Sequence, residues 1–293
     1  MKIVFIGTVE FSHKALEKII DLNYDVVGVC TKQKSGFNSD FKDLSPICEN
    51  NNIDYKYVKD INASDNIQWI KNLNPDIIFC FGWSSLIKKK LLNIAPMGVV
   101  GFHPAELPYN RGRHPLIWAL ALGLKRSAST FFFMKEGADD GDILSQEIFE
   151  ITLKDDAKSL YSKVIKIALT QIETFLPKLE MKTFTRMKQD DTKANYWRKR
   201  GQKDGLIDFR MSSSSIYNLV RALSKPYVGA HLEYKDTNIS IWKSEVVDFN
   251  EKNIESGKVL KIEGQHIIIK TYDGAIKLLE HEFIILPSVG EYL

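Results

Sequence analysis

The sequence predicts an α/β protein: a mostly parallel sheet with helices on both faces over residues 1–182, then a smaller β-rich domain. Two patterns predict it. Short apolar runs that read as strands alternate with amphipathic runs that read as helices as far as about residue 182. Beyond residue 213 the runs shorten into alternating strands punctuated by glycine turns.

In chain order, residues 2–7 are an apolar run that stops at a glycine. Gly7-Thr8-Val9-Glu10-Phe11-Ser12 then turns into a helix carrying Ala15, Leu16, Ile19 and Ile20. This strand-turn-helix is Rossmann-like, but a lone glycine is not the three-glycine dinucleotide fingerprint, so no NAD site follows. Asp25–Thr31 is the second strand. A loop, Lys32–Asp43, with Phe37 and Phe41 in it, leads to a helix with Leu44, Ile47 and Cys48. A third strand covers Ile53–Val58, a helix Ser64–Leu73, and Pro75-Asp76 introduces strand Ile77–Phe81. Gly82-Trp83-Ser84-Ser85 reads as a cap for a helix over Leu86–Asn93. Pro96-Met97-Gly98 turns into a strand ending at His103. Pro115–Leu122 is helical, Ser127–Met134 and Asp142–Ile151 are extended, and Asp155–Lys178 has its leucines and isoleucines at helical spacing.

Residues 183–212 are polar and read as a linker, with Tyr196-Trp197-Arg198-Lys199-Arg200 standing out among them. The domain at 213–293 opens with a helix, Ile216–Leu223. Strands His231–Tyr234, Asn238–Trp242, Lys258–Ile262, His266–Thr271 and Ala275–Leu279 follow, as in a small, OB-like barrel or curled sheet.

Bulk properties exclude several classes. Forty basic and 37 acidic residues are interspersed and leave a net charge of +3, a poor match to a surface that grips a phosphate backbone. Cys30, Cys48 and Cys80 are scattered, without metal-ligand spacing, as expected of reduced thiols in the cytoplasm. The apolar N-terminus is too short for a signal peptide, and no run approaches the roughly 18 apolar residues of a membrane span.

The chemistry gathers at Val99–Pro108 and Asn110–Pro115, where an apolar strand ends at His103 between Gly101 and a leucine-proline turn. In open α/β sheets ligands sit at the carboxyl ends of strands, and a histidine there can take a proton. Beyond it, Glu136-Gly137-Ala138-Asp139-Asp140-Gly141-Asp142-Ile143-Leu144 is an acidic turn opening another apolar run, with Asp139 36 residues from His103.

The histidine after the strand, the leucine-proline turn, Arg111-Gly112, the Asp139-Asp140-Gly141 turn and the opening Gly-Thr-Val-Glu-Phe-Ser together resemble the 10-formyltetrahydrofolate-dependent formyltransferases. The likeness extends to Asp204-Gly205-Leu206-Ile207-Asp208-Phe209 and to Lys225-Pro226-Tyr227-Val228-Gly229-Ala230. It implies a formyl transfer in which an amine attacks a formamide-like carbon, charge develops on oxygen and the amine sheds a proton. His103 would be the base or proton shuttle, with Asp139 orienting it and holding its charge. The donor's pterin would lie against backbone at Phe81, Gly82, Trp83, Ser84 and Leu86 and at the loop from Gly137 to Asp142, with Leu107 as an apolar wall. Substrate contacts are implied at Glu10, Phe11, Arg111, Arg113, His114, Trp197, Arg200 and Tyr227; aromatic rings beside arginines suit a nucleotide.

The chain departs from the family at Gly101, where its members carry an asparagine that donates to the oxyanion. Loss of one such donor costs on the order of 10²–10³ in rate, so Asn110, Arg111, His114 or a backbone N–H is expected to replace it. The acceptor branch is read from the loop after the second strand. Its three lysines and two aspartates make a poor RNA clamp, and Arg111–Ala119 resembles the sugar N-formyltransferases. The expectation is therefore a transfer to the amine of a nucleotide-linked amino-deoxysugar for a surface glycan such as lipopolysaccharide, with folate and the sugar nucleotide as partners, no membrane, no nucleic acid, and a homodimer allowed. Methionyl-tRNA formyl transfer, hydrolysis of the formylated folate, and ligand binding without catalysis remain the alternatives.

Overall fold

A computed structural model describes residues 1–34 and 39–293, so the expectation at Phe37 lies outside the described residues. The elements are β1 (Lys2–Ile6), α1 (Glu10–Asp21), β2 (Asp25–Thr31), α2 (Ser45–Asn50), β3 (Tyr55–Tyr57), α3 (Ser64–Asn72), β4 (Ile77–Cys80), α4 (Lys89–Leu92), β5 (Val99–His103), β6 (Arg111–Gly112), α5 (Pro115–Ala121), β7 (Arg126–Phe133), β8 (Ile143–Glu150) and α6 (Ala157–Glu180). They continue as β9 (Tyr196–Trp197), α7 (Ser213–Leu223), β10 (Ala230–Tyr234), β11 (Thr237–Val247), β12 (Val259–Glu263), β13 (His266–Lys270) and β14 (Ala275–His281). Two compact units form. One holds Met1–Pro115, Ser127–Phe149 and Ser162–Trp197; the other holds Leu116–Arg126, Glu150–Tyr161 and Arg198–Leu293. The chain thus does not divide at a single cut near residue 182, and residues 183–212 are shared between the two units.

The first unit is built on a seven-stranded sheet in the order β3-β2-β1-β4-β5-β7-β8. The strands from β3 to β5 are parallel, and β7 pairs antiparallel with β5. Ile3, Val4, Phe5 and Ile6 are all fully buried because successive side chains enter opposite layers. Val4 and Ile6 pack with Ile70 of α3 and Leu91 of α4. On the other face, the Phe5 and Phe81 rings meet edge-on at 5.5 Å, and Phe131 contacts Phe81 at 5.2 Å and Phe175 of α6 at 4.9 Å. Such aromatic pairs contribute about 0.5–1.5 kcal/mol each beyond their buried area.

One expected helix is largely absent. Where Leu86–Asn93 was expected to be helical behind a cap at Gly82–Ser85, only Lys89–Leu92 is helix. The side chain of Asn62 donates to Leu86 O at 2.9 Å and accepts from Lys88 N at 2.8 Å, so it takes the carbonyl that a first turn at Leu86 would need and caps the helix at Lys88 instead. The pair β6–β9 was also not expected; it is parallel, with Arg111 opposite Tyr196 and Gly112 opposite Trp197.

The second unit carries a five-stranded antiparallel sheet in the order β10-β11-β14-β13-β12. Alternating residues Ile239, Ile241, Ile267, Ile269, Ile276 and Leu278 form its buried face, against which α7 packs through Ile216, Leu219 and Val220. Register shifts in β11–β14 and β12–β13 mark bulges that curl the sheet. Strand β11 runs five residues past the expected Trp242. No described helix is long and apolar enough to cross a membrane.

Candidate active site

His103 is the last residue of β5, paired opposite Thr130 of β7. The chain beyond it folds back at once. Ala105 N donates to His103 O at 2.9 Å, Leu107 N to Ala105 O at 2.9 Å, and Tyr109 N to Glu106 O at 3.0 Å. Thr130 Oγ1 donates to Ala105 O at 2.7 Å, and Gln146 Nε2 to Leu107 O at 3.0 Å, tying the turn to the sheet. The return brings Asn110 O within 2.8 Å of His103 Nε2. A carbonyl only accepts, so this contact assigns the proton to Nε2 and leaves Nδ1 as the other face of the ring.

Nδ1 stands 3.5 Å from Asp139 Oδ2. Asp139 Oδ2 also accepts the Gly112 N–H at 2.9 Å. Of the pair, the carboxylate offers more surface: the Asp139 side chain is 20% exposed and that of His103 6%. The neighbouring Asp140 lies elsewhere, since a Cβ on Gly137 would stand 2.1 Å from its Oδ2. Asp139, Asn110 and His114 all have left-handed backbone, with φ of 55°, 63° and 57°. Asp, Asn and His tolerate that region best among non-glycine residues, and such conformations persist where surrounding bonds over-determine them.

At Asp139 those bonds come from a residue that sequence reading missed. Gln189 Nε2 donates to Asp139 O at 2.8 Å and to Gly141 O at 2.6 Å. Its Oε1 accepts from Arg111 Nε at 3.1 Å and Nη2 at 2.8 Å. Arg111 also donates to Asp191 Oδ1 at 2.7 Å and to Tyr196 OH at 3.0 Å. Burial pushes the Arg111 pKa down, but its bonds to Asp191 and Tyr196 outweigh burial and leave it above the ordinary value. Arg111, expected at the substrate, is 2% exposed and turned inward, where it fixes the Asp139 loop. Gln189 lies in a polar stretch with no motif, and no pattern in the sequence marks it.

Gly101 is explained sterically. A Cβ there would lie 2.9 Å from Met134 Cγ, 3.1 Å from its Sδ and 3.1 Å from Phe132 Cζ. Met134 and Phe132 fill the space an asparagine would need. Of the expected replacement donors, Arg111 is committed as described. Asn110 is bound to Asn195, which donates from Nδ2 to Asn110 Oδ1 at 3.1 Å and accepts Asn110 N at 2.8 Å.

The segments expected at the donor lie in the same unit. Phe81 is buried and its carbonyl accepts from Ser12 Oγ at 2.6 Å. Gly82 has φ of 66°, a Cβ on it would stand 2.2 Å from Val9 Cγ2, and its carbonyl accepts from Thr8 Oγ1 at 3.2 Å. Trp83 Nε1 is buried without a hydrogen-bond partner among the described residues, and Lys32 Nζ lies 4.7 Å over its ring. Ser84 O accepts from Arg113 Nη1 at 2.8 Å, Leu86 is exposed, Leu107 is buried, and Asp142 Oδ1 pairs with Lys135 Nζ at 3.0 Å. In the 136–142 loop, Asp140 Oδ1 is buried and unpartnered among the described residues.

Of the remaining expected contacts, Glu10 opens α1, paired with Lys14 at 3.6 Å. Phe11 is buried with its ring 4.3 Å from that of Phe102, which makes it core. His114 immediately precedes α5, and Trp197 sits in β9 beside Gly112, whose N–H neighbours the pair described above. Arg200 and Tyr227 belong to the second unit. There Arg200 stacks over Trp118 at 4.5 Å and donates to Asp204 O, while Arg198 pairs with the Asp204 carboxylate. That pairing holds Asp204 well below the usual carboxylate range. Tyr227 N closes a turn onto Ser224 O at 3.0 Å.

Comparison with known proteins matches the chain to one family. The family model described as Formyl transferase matches residues 1–172, and that described as Formyl transferase, C-terminal domain, matches residues 200–284. A methionyl-tRNA formyltransferase of Clostridioides difficile (strain 630) is 31% identical over 304 residues, covering 100% of this chain and 96% of the relative. The bifunctional polymyxin resistance protein ArnA of Wigglesworthia glossinidia brevipalpis is 34% identical over 248 residues, covering 84% of this chain but only 38% of that longer protein. A crystal structure of the N-formyltransferase from Helicobacter canadensis, in complex with folinic acid and dTDP-3-aminofucose, shares the fold with a TM-score of 0.73 at 21% identity, covering 95% of this chain and 98% of that one. With the family match spanning more than half of its length, the chain belongs to the formyl transferase family.

Proposed function

We propose that this formyltransferase moves a formyl group from 10-formyltetrahydrofolate to the amine of a nucleotide-linked amino-deoxysugar, in the cytoplasm and for a surface glycan. The observation that carries the reading is the His103–Asp139 pair at 3.5 Å, set at the carboxyl end of β5 in a chain of this family. The folate supplies the formyl carbon. A pterin edge carries both donors and acceptors, and Trp83 Nε1 and Asp140 Oδ1 are one donor and one acceptor without partners among the described residues. Backbone at 81–86 and 137–142 is the complementary edge, with Leu107 as its apolar wall.

The chain's own residues then have separate tasks. Asp139, the more exposed member of the pair, meets the proton that the amine must shed, and His103 Nδ1 behind it receives that proton. Nε2 stays bonded to Asn110 O throughout, so the ring does not have to turn. The charge that forms, imidazolium beside carboxylate, is stabilised at short range in a site from which the ring is nearly excluded from water. The formyl oxygen, on which negative charge develops, faces no asparagine at position 101; the main-chain N–H groups of residues 110–113 are already bonded within the protein, so the Asn110 side-chain amide is the donor assigned in that segment. Arg113, His114 and Trp197 are the contacts for the sugar nucleotide in this unit.

Support for a sugar acceptor comes from the interspersed charge, net +3, and from the mixed charge of the loop after β2. A second reading, transfer to methionyl-tRNA, is favoured by the 31% identical relative. One experiment separates them. The protein is incubated with 10-formyltetrahydrofolate and either a panel of nucleotide-linked amino sugars or charged initiator tRNA, and formyl mass gain is read on each. Gain on a sugar nucleotide supports the proposal; gain on the tRNA alone overturns it, and formate release without any amine shows a hydrolase.

A further inference from the structure

We infer that the second unit holds a phosphate site separate from the formyl-transfer centre. A cavity of about 320 Å³ lies wholly within that unit, between the 154–158 segment, α7 and β11. Arg221 lines it and is 6% exposed. Its Nε donates to Asn218 Oδ1 at 2.9 Å, and its Nη1 to Thr152 O and Asp155 O, both at 2.8 Å. These are neutral oxygens. Nη2 makes no hydrogen bond among the described residues, and Arg221 forms no ion pair among them. Buried charges are ordinarily paired, because an uncompensated one is costly to desolvate. Burial pushes the Arg221 pKa below its ordinary value, against the opposing pull of Tyr217, whose ring lies 5.6 Å away, and of Asp155.

A second, independent feature faces the same space. Ser244 of β11 is 6% exposed, and its hydroxyl has no partner among the described residues. Four lysines, Lys154, Lys158, Lys225 and Lys243, stand around the cavity. Lys225 is held 5.3 Å over the Trp242 ring. Three carboxylates share the lining, but they are engaged. Both Asp155 oxygens accept, from Thr152 and Ser159; Asp156 caps Ser159 N at 2.8 Å; and Glu280 lies 3.7 Å from Lys243. What is left over is a buried guanidinium, a buried hydroxyl and an excess of ammonium groups. A small tetrahedral oxyanion, free phosphate or the phosphate of a phosphomonoester, supplies acceptors to all three donor types.

The site is tested with the full chain by calorimetric titration of inorganic phosphate at low ionic strength, where such contacts are least screened. Saturable binding is expected, weakened about tenfold in a Lys158→Ala/Lys243→Ala double variant, and weakened also in Ser244→Ala. The lysine side chains are exposed, so the double variant keeps its core, which an unchanged Tm verifies. A nucleoside monophosphate that competes with phosphate for this site identifies a monoester as the ligand; phosphate binding without such competition identifies the free ion. Absence of saturable binding, or binding unchanged in both variants, overturns the site. Binding of an RNA hairpin that is lost in the double variant, with no response to phosphate, overturns it as a small-ligand site. None of these outcomes depends on formyl transfer.

Discussion

Asp139 Oδ2 stands 3.5 Å from His103 Nδ1 while accepting the Gly112 N–H at 2.9 Å. One carboxylate oxygen therefore faces the imidazole and is held by main chain from the segment that follows it. Asp139→Asn keeps the shape but replaces a carboxylate by a neutral amide. We expect kcat for formyl transfer to fall by about 10²–10⁴, the usual contribution of a positioned acid or base, with the KM for the donor little changed. Steady-state kinetics check this; a fall of less than about threefold would remove Asp139 from the proton path.

Gln189 acts through Asp139. In Gln189→Ala the Arg111 guanidinium loses an acceptor and two loop carbonyls lose a donor. Leaving such buried groups unsatisfied costs about 1–3 kcal/mol each, so the Tm should drop. Because the loop carries Asp139, kcat should fall further than the donor KM rises. Gln189→Glu, which keeps the acceptor facing Arg111 but not the amide donor, should recover part of the stability and little of kcat. Equal recovery of both would show a purely structural role.

Met134 and Gly101 occupy one volume. Gly101→Asn places a Cβ 2.9 Å from Met134 Cγ, and overpacking of this kind costs about 1–3 kcal/mol. Shortening the neighbour in Gly101→Asn/Met134→Ala should restore Tm toward that of Met134→Ala alone, a positive coupling measured by a double-mutant cycle. Strict additivity would mean that Met134 does not occupy the asparagine's place.

Much of this was legible in the sequence. The alternation that predicts β1 to β5 and β7 follows from burial of both sheet faces, which forces continuous apolar runs such as Val4–Ile6 and Ile77–Phe79. Asp139, implied by the Asp-x-Gly pattern of the family resemblance, stands 3.5 Å from His103. What the sequence hid was long-range and polar. Asn62 suppresses a helix start 24 residues away by taking its carbonyl. Gln189 reaches Asp139 across 50 residues. Arg111 reads as a substrate contact from its motif but is spent on Gln189, Asp191 and Tyr196. Periodicity carries no information about such partners, because one hydrogen bond leaves no pattern along the chain.

Burial pushes the Cys30 and Cys48 thiols up to about 12. Only the thiolate is alkylated, so iodoacetamide at pH 8 should leave both unmodified in the native protein and label them in denaturant. The sign for stability follows. The unfolded thiols ionise near the ordinary value of about 8.5, so below that pH nothing is lost, and between it and about 12 ionisation favours the unfolded chain and stability declines as pH rises. Mass spectrometry of native samples labelled at pH 8 checks the first expectation; stoichiometric labelling there would contradict it.

The central claim is that the His103–Asp139 pair takes the proton released when formyl is handed to nitrogen, with Asp139 meeting it and His103 Nδ1 receiving it. Its most direct measurement is single-turnover formyl transfer by His103→Ala, with donor affinity measured on the same sample. The account predicts a transfer rate lowered by about 10²–10⁴ with donor affinity nearly intact; transfer at the unsubstituted rate would contradict it.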